Sequence, residues 1–382
     1  MTDTLLTLNA GSSSVKFSVW AAAAEPALLL EGQVENLGPA ARLVIEGEPK
    51  DVREIGGADH AAALTAILTA ISPTLDGRRV VGVGHRIVHG GVEFDAPVRL
   101  DAGIRQRLAA LIPLAPLHQP HNLSMVAAAA EAFPGAVHVG CFDTAFHRGH
   151  PWVNDTFGLP RRFYEAGVRR YGFHGLSYDY ISGVLARDYP DLHAGRVVIA
   201  HLGNGASMCA VRAGRSVGST MGFSALDGLP MGTRCGQLDP GVVLYLLETG
   251  HGADEIKTIL YRESGLTGLS GIGHDMRALL ASDRPEAMQA IDYYVFRIRR
   301  ELGAMAAVLC GVDALVFCGG IGENAAPIRA RVLQGMDWLG LSLDAAANDA
   351  NAREIGAGAT RALVIPTDEE RVIARAVARA IA

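Results

Sequence analysis

Two glycine-rich turns contain the residues best suited to chemistry. The first lies in residues 8–19 (LNAGSSSVKFSV) and the second in residues 202–211 (LGNGASMCAV). Each follows an apolar segment and precedes alternating apolar and polar residues, which predicts a strand on both sides of the turn. Such a turn offers backbone N–H groups, hydroxyls and, in the first copy, the Lys16 ammonium to an anion. Two related copies predict a duplicated fold with a central cleft, in which a polyphosphate is held from both sides.

Two further segments place polar groups where predicted strands end. Asp143 follows the apolar segment 137–142, and a carboxylate at the carboxyl edge of a sheet is typical of α/β active sites. Taken alone, however, Asp143 is better explained as a loop or helix-capping residue. Residues 319–324 (GGIGEN) follow a predicted strand and open a predicted helix. Their N–H groups suit a phosphate or ribose, or the glycines serve only a tight turn with positive φ.

Glu369 has a competing structural explanation. Residues 367–370 (TDEE) fit a capping box with Thr367 as the N-cap and Glu370 at the third helical position. In that arrangement Glu369 only favours the helix dipole. From the residues alone, we therefore predict that this segment caps the last helix.

Several catalytic classes lack their sequence patterns. The sequence contains neither a Walker A motif nor a GxSxG nucleophile elbow, which argues against P-loop phosphate binding and serine acyl-enzyme chemistry. Histidine pairs that could bind zinc sit beside glycine or proline rather than on one helix face, so zinc is disfavoured. These pairs are His85 with His89, His118 with His121, and His147 with His150.

The composition is that of a folded, mildly acidic protein. With 382 residues, 49% of them hydrophobic and 19% charged, the chain predicts two domains with large cores. A net charge of −6 argues against nucleic-acid binding. Five cysteines without paired spacing predict reduced thiols and a cytoplasmic location. We expect no signal peptide and no membrane span, because the most apolar stretch, 305–321, contains Asp313 and several glycines.

The order of segments predicts the domain division. Strand-like and helix-like segments follow one another in both halves, which indicates α/β architecture with three-layer packing. A loop-like run at 147–162 marks the boundary. The closing segment, from Asp368 onwards, has helical spacing and is expected to pack back on the first half. We therefore predict a first domain of residues 1–148 plus 371–382 and a second domain of residues 149–370.

Taken together, the motifs resemble those of the acetate kinase family, short-chain carboxylate kinases that convert a carboxylate and ATP into an acyl phosphate and ADP. The resemblance covers residues 6–374. Each motif alone is weak, whereas nine of them in order are specific. The nine are NAGSSSVK, GHRIVHGG, FDTAFH, RRYGFHG, HLGNGAS, MGTR, DMR, GGIGEN and PTDEE.

This resemblance implies a duplicated ribonuclease-H-like core, the two-domain α/β fold with a central cleft shared with actin, sugar kinases and heat-shock ATPases. It implies reversible phosphoryl transfer from ATP, as co-substrate, to acetate, assisted by Mg²⁺ with Mn²⁺ as an alternative ion. It assigns acyl and phosphate binding to the first domain. Nucleotide binding and assembly of a homodimer are assigned to the second.

The resemblance also implies roles for individual residues, carried over by position. The catalytic set would be Arg86, Asp143, His174 and Arg234. The acyl-binding set would be Arg86, Val88, Leu117, His118 and Phe173. The nucleotide-binding set would be Ser12, Ser14, Lys16, His201, Gly203, Asn204, Gly205, Asp275, Arg277, Gly319, Gly320, Ile321, Gly322 and Asn324. The Mg²⁺ ligands, direct or through water, would be Asn9, Asp143 and Glu369.

These residue types suit phosphoryl transfer, in which cations and positioning matter more than covalent help. A carboxylate acceptor is ionised at pH 7, so direct in-line transfer needs no general base. Four alternatives stay open at this point. One is a propionate kinase of the same family; Ala225 stands where a proline often lines the acyl pocket, so a slightly roomier pocket is expected. The others are a covalent phosphoenzyme, a nucleotide-driven assembly or chaperone ATPase, and a sensing module without catalysis.

Overall fold

The chain forms two compact units. The computed structural model describes residues 3–11 and 13–382, so the predicted nucleotide ligand Ser12 lies outside the described residues. The first unit comprises Met1–Phe146 with Asp368–Ala382, and the second comprises His147–Thr367. These bounds lie near the predicted ones, but they place Asp368, Glu369 and Glu370 in the first unit and His147 and Arg148 in the second. The roles predicted for each domain stay predictions.

The elements alternate between strands and helices. In chain order, the strands are β1 Thr4–Ala10, β2 Val15–Ala21, β3 Ala27–Glu35, β4 Gly38–Ile45, β5 Asp51–Ala58, β6 Val80–Ile87, β7 Val98–Arg99, β8 Val137–Phe142, β9 Arg196–Leu202, β10 Ala206–Arg212, β11 Arg215–Ser219, β12 Ala314–Cys318 and β13 Arg361–Val364. The α-helices are α1 His60–Leu75, α2 Ala102–Ala109, α3 Gln119–Ala132, α4 Trp152–Asp155, α5 Arg161–Glu165, α6 Gly175–Asp188, α7 Pro190–Ala194, α8 Pro240–Glu248, α9 Ala253–Arg262, α10 Gly265–Ser270, α11 Met276–Leu280, α12 Pro285–Leu309, α13 Gly319–Asn324, α14 Ala326–Leu333, α15 Ala345–Asp349 and α16 Glu369–Ile381. Short 3₁₀ helices lie at Ile112–Leu114, Ala145–His147 and Asp337–Leu339.

The two sheets share a core of the same order and direction. The first sheet has the order β5-β4-β3-β2-β1-β6-β8-β7 and the second has the order β11-β10-β9-β12-β13. In the first, β1 and β3 run antiparallel to β2, and β6 is parallel to both β1 and β8. In the second, β9 and β11 run antiparallel to β10, and β12 is parallel to both β9 and β13. The predicted duplicated α/β fold is confirmed by this repeated topology, and the predicted cleft stays a prediction.

Strand β6 shows how the sequence builds the layers of the first unit. Its residues alternate between faces, so Val83 joins the core shared with α1 and α3 while Gly82 and Gly84 face α16. A Cβ atom at Gly82 would lie 2.3 Å from Val377 Cγ1, and one at Gly84 would lie 2.3 Å from Ile373 Cγ2. The two glycines therefore let α16 approach the sheet closely, which explains the helix packing predicted for the C-terminal segment.

The predicted cap of α16 is wrong by one residue. The N-cap is Asp368, whose Oδ1 accepts a hydrogen bond of 2.9 Å from the Arg371 backbone N–H. Thr367 instead donates its backbone N–H to Glu323 Oε1 at 3.1 Å. Because an aspartate caps as well as a threonine, the local sequence allowed both starts, and long-range contacts selected one.

No α-helix in the described part of the chain is both long and apolar enough to cross a membrane.

Candidate active site

An ion cluster forms where β6 and β8 of the first unit end. Arg86 lies near the end of β6, and Asp143 follows β8 directly. The guanidinium donates from Nε to Asp143 Oδ1 at 2.9 Å and from Nη2 to Asp143 Oδ2 at 2.6 Å. Its Nη1 donates to Asn9 Oδ1 at 3.0 Å, at the end of β1. Three strands that meet at one sheet edge thus bring together residues far apart in sequence, as parallel strand ends do in α/β sites.

Burial shifts the pKa values of the ionisable groups in this cluster. Asp143 is only 1% exposed, and a second carboxylate oxygen, Glu369 Oε2, lies 3.9 Å from Arg86 Nε. Burial raises the pKa of the Asp143 carboxyl, and Arg86 opposes that rise. Burial alone would lower the pKa of Arg86, but Asp143 and Glu369 hold that pKa above its ordinary value. Arg86 therefore stays cationic, between two carboxyl groups that it keeps at the sheet edge.

Glu370 belongs to the same region and was not predicted as a site residue. Its Oε1 accepts from Asn9 Nδ2 at 3.4 Å. Burial, with Glu369 beside it, raises the pKa of Glu370, whereas Lys16 lowers it. Lys16 and Glu370 both line a cavity of about 280 Å³ beside β2 and β3. The two glutamates of the TDEE segment therefore act at the sheet edge as well as at the helix start, which a capping pattern does not reveal.

Two amides at the start of α3 position the loops of the first unit. Asn122 donates from Nδ2 to the Ala10 carbonyl oxygen at 2.7 Å and accepts from the Val88 N–H at 2.9 Å. Gln119 accepts from the His89 N–H at 3.2 Å and donates back to the His89 carbonyl oxygen at 3.1 Å. These buried amides tie the first glycine turn to the segment after Arg86. Their signal in the sequence was the polar run HQPHN, which the histidine-pair analysis had considered only for zinc.

The second glycine turn brings its backbone against the predicted catalytic histidine. A Cβ atom at Gly205 would lie 3.1 Å from His174 Nε2 and 4.0 Å from Arg234 Nη1. The His174 ring stacks on His201 with 4.3 Å between centroids, and His174 Nδ1 lies 2.9 Å from Ser207 Oγ. The structure therefore brings together His174, His201, Gly205 and Arg234, and their roles at the phosphoryl group stay predictions.

A cavity of about 470 Å³ adjoins this turn in the second unit, within the range of ligand pockets. Seven predicted nucleotide-binding residues line it: Gly203, Asn204, Asp275, Arg277, Gly320, Ile321 and Asn324. The sequence analysis missed five further lining residues: His274, Met276, Leu280, Ala325 and Pro327. Asp275 caps α11 and pairs with Arg277 at 2.7 Å, and the hydrogen bond from Arg277 lowers the pKa of Asp275 to about 2.

The tight-turn explanation of residues 319–324 is confirmed at Gly319, whereas nucleotide binding by this turn stays a prediction. Gly319 has a φ of +76°, and a Cβ atom there would lie 2.8 Å from the Leu202 carbonyl oxygen. A Cβ atom at Gly322 would contact the Ala200 carbonyl oxygen at 3.6 Å. These two glycines therefore face β9 and serve close packing, whereas Gly320 lines the cavity. Glu323 accepts from the Gly319 N–H at 2.8 Å and so closes the turn.

The remaining predicted residues fall in separate places. Val88, Leu117 and His118 belong to the first unit, and Phe173 belongs to the second, so their grouping into an acyl pocket stays a prediction. Ser14 lies in the first turn, where its carbonyl oxygen accepts from the Gly11 N–H at 2.8 Å.

The donors predicted for Mg²⁺ fit that ion by chemistry. Asn9, Asp143 and Glu369 offer amide and carboxylate oxygens within one cluster, and Mg²⁺ prefers one or two carboxylates completed by water and substrate phosphates. No group of three or more His, Cys, Asp or Glu side chains in residues 3–11 and 13–382 is arranged to hold a metal.

Known proteins resemble this chain over its whole length. Residues 4–375 match the Acetokinase family. An acetate kinase from Methylocella silvestris is 56% identical over 393 residues, which cover 98% of this chain and 97% of that protein. A propionate kinase from Francisella tularensis has a similar structure, with a TM-score of 0.93, 33% identity and 99% coverage of each chain. The acetate kinase of Porphyromonas gingivalis has a TM-score of 0.89, 35% identity and 100% coverage of each chain.

The family match includes the Arg86 cluster of the first unit and the glycine turns of the second. The motifs that suggested the resemblance are thus part of an alignment that spans nearly every element of both units. The chain belongs to the acetokinase family.

Proposed function

We propose that the protein reversibly transfers the terminal phosphoryl group of ATP to acetate, forming acetyl phosphate and ADP. Membership of the acetokinase family supports an ATP-dependent acetate phosphotransferase. The structural observation that carries the proposal is Arg86, whose guanidinium donates to Asn9 and Asp143. These bonds use three of its five N–H donors, and we assign the other two to the anionic substrate.

The proposed transfer is direct. A carboxylate oxygen of acetate attacks the terminal phosphorus in line with the bond to ADP. The new P–O bond forms as the bond to ADP breaks, and the ADP oxygen keeps the electron pair. Acetate is already ionised at neutral pH, so no side chain has to remove a proton. Charge on the equatorial phosphoryl oxygens is stabilised by positioned donors, a role that we assign to Arg86, Arg234 and His174.

The nucleotide is assigned to the cavity of about 470 Å³ in the second unit. Gly203 and Asn204, which line this cavity, belong to the glycine turn whose Gly205 lies against His174. The backbone of that turn suits the terminal phosphates. The wall formed by Gly320, Ile321 and Asn324 suits the nucleoside.

Asn9, Asp143 and Glu369 are proposed to hold Mg²⁺, in part through water, with Mn²⁺ as an alternative. When bound, the ion neutralises part of the phosphate charge. We expect chelation of divalent ions to abolish turnover and added Mg²⁺ to restore it. Full turnover in the presence of excess chelator would contradict this assignment.

The test is acyl phosphate formation, trapped as the hydroxamate, from purified protein with Mg·ATP and acetate, propionate or butyrate. Acetate-dependent product is expected. ATP hydrolysis that proceeds without acetate and yields no acyl phosphate would support an assembly or chaperone ATPase instead. Nucleotide or acetate binding without turnover would support a sensing module. The stereochemistry at phosphorus separates direct transfer, which inverts, from a covalent phosphoenzyme, which retains.

Propionate is the second candidate acceptor. The similarity to the propionate kinase from Francisella tularensis favours it, as does the small side chain of Ala225 where the family often has a proline. One methylene changes specificity by only about 1–3 kcal/mol, so the two acids are compared by kcat/KM in the same assay. A higher value for propionate would reassign the preferred substrate.

A homodimer through the second unit is proposed from the exposed apolar face of α8. This helix contains no buried residue, and Leu244 and Tyr245 are 60% and 62% exposed. A contiguous apolar patch of this kind marks an association surface. Light scattering after size-exclusion chromatography is expected to show a dimer, and Leu244→Glu is expected to shift it to monomer. A monomeric wild-type protein would reject the proposal.

The predicted cytoplasmic location stays a proposal. It is supported by the cysteines, since no disulfide links the five of them, all within the described residues.

A further inference from the structure

A buried chain of hydrogen bonds in the second unit ends on the segment that carries His174. His147 Nε2 lies 3.0 Å from the carbonyl oxygen of Phe173, the residue before His174. On the other side of the ring, Nδ1 lies 2.8 Å from Ser216 Oγ, which in turn lies 2.6 Å from His150 Nε2. His147 and Ser216 are both buried. The reaction proposed above uses none of these side chains except His174.

The donors in this chain have one consistent direction. A carbonyl oxygen only accepts, so His147 carries its proton on Nε2 and accepts at Nδ1 from the Ser216 hydroxyl. Ser216 has a single proton, so His150 must donate to it from Nε2 and accept at Nδ1, where Asn154 Nδ2 lies 3.4 Å away. Burial lowers the pKa of His147 to about 4 and that of His150 to about 3. Both rings are therefore neutral at pH 7, and every donor points toward Phe173.

His174 occupies a conformation that needs support from its surroundings. Its φ of 57° and ψ of 24° are left-handed, which is uncommon for a residue with a side chain and recurs at functional sites. Its ring is held between Ser207 and the stacked ring of His201. The Tyr178 ring packs edge-on against His147 at 5.6 Å between centroids, and the Tyr178 hydroxyl hydrogen-bonds Ser207. The Tyr178 side chain therefore contacts both the ring of His147 and the serine that hydrogen-bonds His174.

We propose that His147 and Ser216 are positioning residues for His174. By holding the Phe173 carbonyl oxygen, they keep the left-handed backbone that directs the His174 imidazole toward Gly205 and the proposed phosphoryl site. The catalytic consequence rests on the proposed function, whereas the positioning itself does not. Loss of the donor at His147 removes a hydrogen bond to a buried carbonyl oxygen, and we expect the segment to relax. A displacement of about 1 Å at a reacting group costs up to about 10²-fold in rate.

The test is a double-mutant cycle with a rescue variant. His147→Leu removes both hydrogen bonds at similar volume, and His147→Gln keeps an N–H that can reach the Phe173 carbonyl oxygen. Cys209→Ala is the matched control, because its thiol contacts Ser216 Oγ at 3.2 Å but lies outside the donor path to Phe173. Each is measured in the wild-type and His174→Ala backgrounds, with kcat normalised to folded protein.

We expect His147→Leu to lower kcat by about 10- to 100-fold in the wild-type background, with little change in KM for ATP. In the His174→Ala background the loss should shrink to about twofold or less, because residues that act through each other are not additive. His147→Gln should recover most of the activity, and Cys209→Ala should lose little. An equal loss in both backgrounds, or no recovery by glutamine, would overturn the positioning role.

A second measurement does not depend on activity. In protein labelled with ¹³C at the histidine rings, the His174 resonance should shift in His147→Leu and stay in place in Cys209→Ala. If the wild-type protein forms no acetyl phosphate, the proposed function fails, and this resonance alone decides the positioning inference. An unchanged His174 resonance in His147→Leu would refute it.

Discussion

Equivalent strand ends in the two sheets carry different chemistry. The shared topology makes the ends of β1 and β6 correspond to those of β9 and β12. In the first unit these ends carry Asn9 and Arg86, with Asp143 after β8. In the second unit the paired residues at these ends are His201 and Cys318, and both strands run into glycine turns. At these two strand ends the first copy presents an arginine paired with carboxylates, whereas the second presents glycine turns that line a cavity of about 470 Å³.

This difference shows that duplicating a framework does not duplicate its function. A charge at a buried edge must be paired, so Arg86 is bound by Asp143 and Asn9 and faces Glu369. A glycine turn instead requires space. A Cβ atom at Gly232, for example, would lie 2.0 Å from Asn204 Oδ1. Substitutions at these strand ends should therefore fail for electrostatic reasons in the first unit and for steric reasons in the second.

The largest effect is expected from Arg86→Ala. It removes a transition-state donor and leaves Asp143 and Glu369 without their cation, so kcat should fall by about 10²-fold or more. Hydroxamate-trapped acetyl phosphate measures the loss. Arg86→Lys keeps the charge without the bidentate geometry and should be intermediate. Arg234→Ala should be similarly impaired. Near-normal turnover in either alanine variant would contradict the assigned roles.

Acid should weaken the folding of the second unit through its buried histidines. The pKa values of His147 and His150, about 4 and 3, lie below the ordinary value of about 6.5. The unfolded chain then binds more protons, so the free energy of unfolding falls as pH decreases from about 6.5 to 4, by up to about 1.4 kcal/mol per pH unit for each group. Urea unfolding followed by fluorescence measures this slope.

His150→Gln removes one of these two rings, so the free energy of unfolding should depend less steeply on pH in this variant. His85, in the first unit, has a pKa lowered to about 3 and contributes in the same sense. The raised pKa values of Asp143 and Glu370 act oppositely, since their contribution is lost as pH rises through the folded-state pKa. An unchanged slope in His150→Gln would show that this ring is not held neutral.

A smaller effect is expected from Gly205→Ala. The added Cβ atom would lie 3.1 Å from His174 Nε2, so the imidazole must move by a few tenths of an ångström. We expect kcat to fall about tenfold while the unfolding free energy changes little. Unimpaired turnover would mean that the second turn tolerates a side chain. It would contradict the steric sensitivity that we expect at the strand ends of the second unit.

The smallest effect serves as the control for the glycine substitutions. Gly183 lies inside α6 and is exposed, and a Cβ atom there would meet nothing beyond its own helix within 4 Å. Gly183→Ala should stabilise the protein by about 0.5–1 kcal/mol through helix propensity and leave kcat unchanged. A loss of activity would indicate that glycine-to-alanine changes in this unit act generally, not through His174.

The accuracy of the sequence predictions followed the range of the interactions involved. The glycine turns, the strand before Asp143 and the packing of the last helix rest on local composition and periodicity, and the structure has all three. The choice between Thr367 and Asp368 as the helix cap was wrong, because both residues can cap. Glu370 was missed because its partner, Asn9, lies 361 residues away.

By itself, the sequence determined the strands on either side of the two glycine turns, the strand before Asp143 and where the chain turns back. These properties follow from side-chain alternation and from the conformational freedom of glycine. Only the tertiary structure decided that Arg86 pairs with Asp143, that Gly322 packs on a strand while Gly320 lines a cavity, and that His147 holds the segment before His174. Each of these depends on burial, which makes an unpaired charge or carbonyl oxygen costly and so selects partners that sequence distance conceals.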